Sequence, residues 1–582
     1  MSRVRPESLP QEDDDDDDDD SSEEAVEGQT PPAKKTKLAR KPRKERTWNK
    51  KTDITYDPLP SFQHRSPLCI RSPIEYFQEM FTMDLLEDIV YQTNLYARQK
   101  NVNTNFSTDK HELMAFIGIV LYMGIGHFPA IDDYWATYTR VAQVADVMSS
   151  KRFKLIRSML HFNNNENLGG STDRFFKIRP LFSSIVRQFQ LVKATPTQSV
   201  DEVMVAYKGT RAGNLRQYIQ NKPDKWGYKL FCRASIDGFI HDILMYQGET
   251  TFSSHHVQLN EEETNFLVSS KTVIVLAKSL KNPSQSAIYA DNYFTSIELV
   301  EYLRDNMGCR YVGTARDNRI GHPPLMTTKE MGKKTVPRGN YDYASTNGIL
   351  ALRWKDNKNV TFLSTDVGIE PLKNVQRFDK TAKKKVNVPC PDVIKEYNGK
   401  MGGIDKSDML AHLYKTPMRA RRWYLRLFGY VLDLCVCNAW IVYKRDCNAL
   451  KEKPMPLKTF RLDISRFARC HKAMTSRLVV TRTSPEVPLI VPRKGQRSEP
   501  PSDQCRYDRS KIHLPVFVTT RQTCKHCSYK DDIHRSRWMC SVCQVALCLS
   551  EKRNCFKPYH IPHQPTPSPS ASPSSTSAAS TP

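Results

Sequence analysis

Apolar positions recur at two different periods along the chain, and the change of period divides it. From Ser72 onward they fall at helical spacing, with Phe77, Phe81, Leu85, Ile89 and Tyr96 on one face of the run Tyr76–Tyr96. Ser72-Pro73-Ile74-Glu75 reads as a helix start: a capping Ser, Pro at the first helical position, an acid in the first turn. Leu113–Met123, Val141–Asn163 and Phe182–Val192 continue the pattern, so residues 72–195 are expected to form an all-α domain. After Pro196 the period drops to two. Ser199–Tyr207 and Tyr228–Ile236 read as strands, Asp237-Gly238 as a hairpin turn and Phe239–Tyr246 as the returning strand. A helix near Asn265–Leu280, a short strand Ala287–Ala290, a helix Thr295–Asn306 and a strand Cys309–Gly313 follow. The order β-β-β-α-β-α-β is that of a ribonuclease-H-like sheet, in which the fourth strand lies parallel beside the first.

Residues 314–390 are Lys-rich with short strands such as Gly348–Trp354 and Asn359–Thr365, the pattern of an inserted β subdomain. Helices resume at Gly402 and run to about Cys447, completing a core over 196–313 and 391–484. A linker (485–512), a cysteine-rich module (513–563) and an uncharged Ser/Thr/Pro tail (564–582) close the chain. The uncharged run Leu113–Gly126 is short for a bilayer span and reads as a buried core helix; no membrane partner is expected.

Charge sharpens this picture. Thirteen acids and two bases in residues 1–30 give that tail a net −11, so the rest of the chain carries +35 of the overall +24. The tail has too few apolar residues to fold, and residues 1–71 are expected to be disordered. Ser21 and Ser22 lie between its acidic runs. A body this basic expects a polyanion, with nucleic acid first. The run Lys34, Lys35, Lys37, Arg40, Lys41, Arg43 and Lys44 reads as a nuclear localisation signal, which puts the protein in the nucleus. No apolar segment of a secretory signal starts the chain.

Six of the 15 cysteines fall between Cys524 and Cys555. The spacing Cys524-x2-Cys527-x12-Cys540-x2-Cys543-x4-Cys548-x6-Cys555-x4-His560-x2-His563 supplies soft ligands for two tetrahedral Zn2+ ions. The order suggests cross-bracing: the first CxxC with Cys548 and Cys555, the second with His560 and an eighth ligand. His563 stands closest to the pattern, with His513 and His534 as alternatives. The spacing alone would also fit a ubiquitin ligase or a histone reader.

Neither of those accounts for the acids upstream. Asp201 follows a β run, Asp291 ends the short fourth strand, and Asp405 and Asp408 share a face just inside a helix. Converging carboxylates repel, and a divalent cation resolves the repulsion. Two such ions, Mg2+ or Mn2+, can activate an attacking oxygen and stabilise a leaving one in phosphodiester chemistry. The bland alternative is strand-end and first-turn acids. Lys222, Lys225 and Lys229 around Trp226 and Tyr228, and Lys415, Arg419, Arg421, Arg422 and Arg426 around Trp423 and Tyr424, combine phosphate-pairing charge with rings able to stack on bases. Trp423, among the arginines, is the favoured stacker, and Asn292 a neighbour of the metal site.

The blocks Ser199-Val200-Asp201-Glu202, Asn221-Lys222-Pro223-Asp224-Lys225-Trp226-Gly227-Tyr228-Lys229, Ala290-Asp291-Asn292-Tyr293-Phe294-Thr295-Ser296, Tyr397 to Asp408 and Arg421-Arg422-Trp423-Tyr424, in that order, resemble piggyBac-type transposases over roughly residues 72–445 and into the cysteine module. The resemblance implies a ribonuclease-H-like DDD core with a β-rich insertion. It also implies cut-and-paste of DNA at TTAA targets through hairpin ends, and a cross-brace zinc domain that reads end DNA. By position the triad is Asp201, Asp291 and Asp405, with Asp408 as a fourth acid. Glu551 stands where the family's founding pattern has a ligand. Double-stranded DNA and a second copy of the chain are the expected partners. Many members of the family are host genes, so a catalytically silent DNA- or chromatin-binding protein is the second reading.

Overall fold

The computed structural model describes residues 45–50, 56–65, 67–100, 106–210, 212–220, 222–255, 258–379, 383–418, 420–479, 503–507, 513–529, 531–550 and 553–561. The basic run Lys34–Lys44, Arg419, Glu551 and His563 lie outside them. The chain divides into two compact units, residues 1–479 and 480–582.

The first unit opens with helices α1 (Pro73–Met80), α2 (Met83–Gln99), α3 (Lys110–Met123), α4 (Ser150–Met159) and α5 (Arg179–Leu191). Ser72 and Glu75 close a capping box at α1. The expected single helix Tyr76–Tyr96 is two, because the Thr82 side chain accepts the Leu85 N–H and starts a new helix. α3 is buried on nearly every face, so it needs cover from several sides. A later helix provides much of it: α11 (Leu457–Val479) packs on α3, while α10 (Trp423–Ala449) packs on α1. The helical segment is therefore not a separate domain. One hydrophobic cluster joins Ile74 and Phe116 to Val203, Leu230, Phe428 and Phe460. α10 is long and apolar enough to cross a membrane, yet 83% of its most apolar stretch is buried within the protein. Its polar residues brace the sheet. Asn438 exchanges hydrogen bonds with the Ile240 backbone, and Arg445 pairs with Asp237 at 2.7 Å.

Among the described residues nine strands form one sheet. They are β1 (Thr197–Ala206), β2 (Arg216–Tyr218), β3 (Trp226–Ser235), β4 (Ile240–Met245), β5 (Ala287–Ala290), β6 (Arg310–Ala315), β7 (Tyr341–Thr346), β8 (Ile349–Lys355) and β9 (Asn359–Ser364). The path is β2-β3-β1-β5-β6-β9-β8-β7, with β4 also on β3. β1 and β3 are antiparallel, and β5 lies parallel between β1 and β6. Helices α6 (Val268–Lys278) and α7 (Ile297–Met307) make the crossovers on one face. The inserted segment does not build a sheet of its own. β9 pairs antiparallel with β6 and extends the main sheet, satisfying an edge that β6 would otherwise leave open. Only the ribbon β10 (Lys373–Asp379) with β11 (Lys384–Cys390) stands apart from it. Helices α8 (Asp392–Lys400) and α9 (Gly403–Leu413) then return the chain to β1.

Residues 45–71 were expected to be disordered with the tail. Their described part is instead strapped to this unit. Arg46 forks onto Glu301 at 2.8 and 3.0 Å, the Trp48 indole donates to the Gly321 carbonyl, and Asn49 pairs with Ser345. His64, Arg65 and Tyr76 converge on the buried Asp446. The strap caps β7, the far edge of the sheet.

The second unit carries a hairpin, β12 (Pro515–Thr523) with β13 (Arg535–Cys540), and a short pair, β14 (Leu549–Ser550) with β15 (Arg553–Asn554). Its core is Cys524, Cys540, Cys543, Cys555, Val545, Leu547 and Tyr559. So few apolar groups cannot offset the entropy of folding without a further tie.

Candidate active site and nucleic-acid surface

Strand register brings the first two acids together. Val200 is the parallel partner of Ala290, so Asp201 and Asp291 follow at matching positions, one within β1 and the other just past the end of β5. The third acid arrives from above. The N-terminus of α9 sits so close to β1 and β3 that a Cβ at Gly403 would lie 2.5 Å from the Ser235 carbonyl and 2.6 Å from Ser199 Oγ. Only glycine permits that approach, and Asp405 follows two residues later. The hydroxyl end of Tyr397, on α8, feels the charges of Asp291, Asp201 and Asp405; burial, before those charges, raises its pKa.

Burial also pushes the Asp201 carboxyl up to about 7, with the Glu202 charge adding to it and Asp291 contributing less. Lys222 and the Glu202 N–H, 2.8 Å from Asp201 Oδ1, act the other way. Asp291 is raised by burial and by Glu202, against the Tyr293 N–H at 2.9 Å. Hard carboxylate oxygens, partly desolvated and mutually repelling, are a donor set suited to a divalent cation. They are looser than a closed cage: among the described residues, only cysteines and histidines bring three or more ligand atoms within 4.8 Å of one another.

Asp408 takes a different part. It pairs with His412 at 3.2 Å, one turn along α9, and His412 reaches Asp224 at 3.3 Å. Asp224 also accepts from Lys415 at 3.1 Å. The network ties the loop before β3 to the helix bearing Asp405. The Asp408 hydrogen bond is the main reason the His412 pKa is pushed up to about 9.

The expected DNA-contacting side chains separate into groups. Lys222 and Lys229 lie at the acids: Lys222 donates to the Glu202 carbonyl at 3.1 Å, and burial lowers the Lys229 pKa beside Glu202 and Asp201. Arg422 is held by the backbone carbonyls of Leu160 and Arg157 and by the Tyr424 hydroxyl. Trp423 is half-buried among Phe175, Tyr228 and Tyr424, with centroids 5.7–6.0 Å away. Lys225 and Arg421 are exposed. Arg421 lines an open cleft of about 920 Å³ with Lys208, Lys415, Arg426 and Asp224, at the end of β1 beyond Asp201. Asn292 accepts from Arg316 at 3.3 Å. Sequence reasoning missed Glu202 and Tyr397 as members of the acid site and Lys208 as a member of the cleft. The first two stand inside the motif blocks, which was the available signal.

The second unit holds two clusters of four side chains that could each hold a metal ion: Cys524, Cys527, Cys548 and Cys555, and His513, Cys540, Cys543 and His560. They interleave along the chain in the cross-braced order. Among the described residues the fourth member of the second set is His513, whose Nδ1 lies 3.3 and 3.4 Å from the Cys540 and Cys543 sulfurs; His563 lies outside them. His534 turns away to Asp532. His560 donates Nδ1–H to the Phe556 carbonyl, which orients Nε2 toward Cys543 at 3.4 Å. Burial works to raise the Cys524 thiol, yet N–H groups of Cys527, His526 and Cys548 outweigh it and favour thiolate.

Residues 72–440 match the family described as Transposase IS4. The human protein named PiggyBac transposable element-derived protein 3 is 31% identical over 546 residues, 91% of this chain and 83% of that protein. Human PiggyBac transposable element-derived protein 2 is 33% identical over 386 residues, 65% of this chain and 62% of that protein. Among solved structures, the cryo-EM structure of a piggyBac transposase synaptic complex with hairpin DNA matches with a TM-score of 0.59 and 20% identity, over 82% of this chain and 95% of that one.

Proposed function

The chain belongs to the piggyBac-type transposases of the Transposase IS4 family, and we propose that its first unit is a metal-dependent DNA-cleaving and strand-transferring core of the ribonuclease-H-like DDD type. Asp201, Asp291 and Asp405 would hold Mg2+ or Mn2+. The observation that carries this reading is the register of β1 with β5, which aligns two acids ninety positions apart in the chain. Bound there, two divalent cations would activate the attacking oxygen and stabilise the leaving one. The protein's own part is to fix that geometry. Gly403 lets α9 seat Asp405 over β1, and the Asp408–His412–Asp224 network holds the helix to the loop before β3. The cleft of Lys208, Lys415, Arg421 and Arg426 pairs with backbone phosphates and sets the strand's course toward the acids.

Cut-and-paste at TTAA targets, a dimeric assembly and Zn2+ in both thiol-bearing sets belong to the same reading. So does nuclear import by Lys34–Lys44, which a reporter fused to residues 31–51 tests. The deciding experiment is Mg2+-dependent nicking of DNA carrying matched terminal inverted repeats. Wild type should nick. Asp201→Asn, Asp291→Asn and Asp405→Asn should each bind the DNA and leave it intact. A wild-type chain that binds but never nicks replaces this reading with that of a silent DNA-binding protein.

A further inference from the structure

Along β3 the side chains on one face are Trp226, Tyr228, Leu230 and Cys232, and Cys232 is the cross-strand partner of Asp201. Trp226 thus lies on the acid-bearing face of the sheet. Tyr228 and Leu230 run into the core, but the row comes back to the surface at its end. Trp226 is 43% exposed, and its cross-strand neighbour on β2, Tyr218, is 51% exposed. Their rings are 4.9 Å apart, and the Arg216 guanidinium sits 4.5 Å from the Trp226 centroid. Arg216 is not a loose surface cation. It donates to the carbonyls of Lys208 and Gly209, both at 3.2 Å, and so is rooted in the wall of the basic cleft. Lys225, exposed, adjoins the pair. The hairpin cannot shift easily, because at Gly227 the backbone comes so close to β1 that a Cβ would lie 2.2 Å from the Val205 carbonyl.

We propose that Tyr218 and Trp226 form a stacking platform for unpaired bases of a DNA strand engaged at the carboxylates, with Arg216 and Lys225 taking the adjoining phosphates. The inference rests on the DNA reading above and deepens it by naming where single-stranded character is recognised. Two aromatic faces open to solvent, interleaved with cations and continuous with a basic cleft, are the composition that binds bases without sequence preference. A cross-strand aromatic pair that served only the sheet would be favoured by at most about 1 kcal/mol and would need neither the exposure nor the cations. Position agrees as well. From Cys232 to Trp226 is six residues of strand, about 20 Å at 3.3 Å per residue. That span matches about six stacked nucleotides at 3.4 Å each, so the platform meets bases close to, but not at, the cut.

The test compares two probes on the full-length protein by fluorescence anisotropy: a blunt duplex, and the same duplex with a single-stranded extension. Wild type should prefer the extended probe. Trp226→Ala and Tyr218→Ala should each weaken binding to it about tenfold, while binding to the blunt duplex stays unchanged. Trp226→Phe, which keeps a ring and cannot be blamed for unfolding, should retain most of the preference. A salt series should weaken both probes, while the loss caused by Trp226→Ala should stay nearly constant across it, because stacking releases no counterions. Equal wild-type affinity for both probes, or an unchanged preference in Trp226→Ala, overturns the platform and leaves the DNA reading standing. Binding to neither probe overturns both.

Discussion

The carboxylate cluster and the cysteine–histidine module both gather side chains of the kinds that bind metal, and they are built in opposite ways. The module takes eight potential ligands from the single stretch His513–His560 and gathers them into two tight sets. The acid site takes Asp201, Asp291 and Asp405 from two strands and a helix spread over two hundred residues, and stays open. The contrast follows from what each rests on. The acids sit on a sheet with its own large core, so their geometry exists before any ion arrives. The module's core is mostly the cysteines of the two clusters, so an ion bound there would be part of the folding itself.

The sharpest way to break this contrast is to remove a ligand from the module. Cys540→Ser, or a strong chelator, should unfold residues 513–561 outright, since a structural site of this type is worth about 10–16 kcal/mol of apparent binding free energy. The unit 1–479 should melt as before. Two calorimetric transitions, only one of them sensitive to chelator, are the expected record; a single transition that shifts as a whole would refute the independence of the two regions.

The acids should behave in the opposite sense. With the folded Asp201 carboxyl pushed up to about 7 from its ordinary 3.8, the folded state binds the proton more tightly than the unfolded chain. Its stabilising contribution is full below the unfolded pKa and is lost as pH rises through about 7. In metal-free protein, Asp201→Asn should therefore raise the melting temperature above neutral pH, by roughly 2–4 kcal/mol of stability, and the gain should vanish toward pH 4. Mg2+ should stabilise wild type most at high pH and leave the Asn variant unmoved. A destabilised Asp201→Asn protein would mean that the carboxylate is a structural anchor like the module's thiols.

The smallest effect is expected at His412. Its raised pKa, about 9 against 6.5, means that the pairing with Asp408 is fully stabilising below about 6.5 and fades as pH rises through 9. The ring is about 41% exposed, so solvent screening holds the contribution under about 1 kcal/mol. Melting curves of His412→Gln should lie below wild type in mild acid and merge with it in strong base. A constant offset at all pH values would assign the loss to packing instead of charge.

Much of this was legible in the chain. The helix start at Ser72, the short strand Ala287–Ala290 and the parallel placement of the fourth strand beside the first followed from caps, alternation and element order. So did seven of the eight residues that gather in the module's two clusters, because their spacing is local. The misses share a cause. Thr82 divides a continuous apolar pattern through one side-chain hydrogen bond. The 314–390 insertion has the alternation of any β segment, and nothing in it says that β9 will pair with β6. Residues 45–50 read as an extension of a charged tail, yet Arg46, Trp48 and Asn49 each find partners more than 250 residues away.

By itself, the sequence determined which residues can do chemistry: acids at strand and helix ends, paired cysteines, arginines and aromatics in mixed clusters. These are properties of residue type and short spacing, and folding does not alter them. Tertiary structure alone decided which of them meet. It brought His513 beside Cys540, Cys543 and His560, and it committed Arg422 to backbone carbonyls. It half-buried Trp423 and left Tyr218 and Trp226 open beside the cleft. The reason is that exposure and partnership depend on what packs across a sheet or a helix pair, and those neighbours come from distances along the chain that local pattern does not encode.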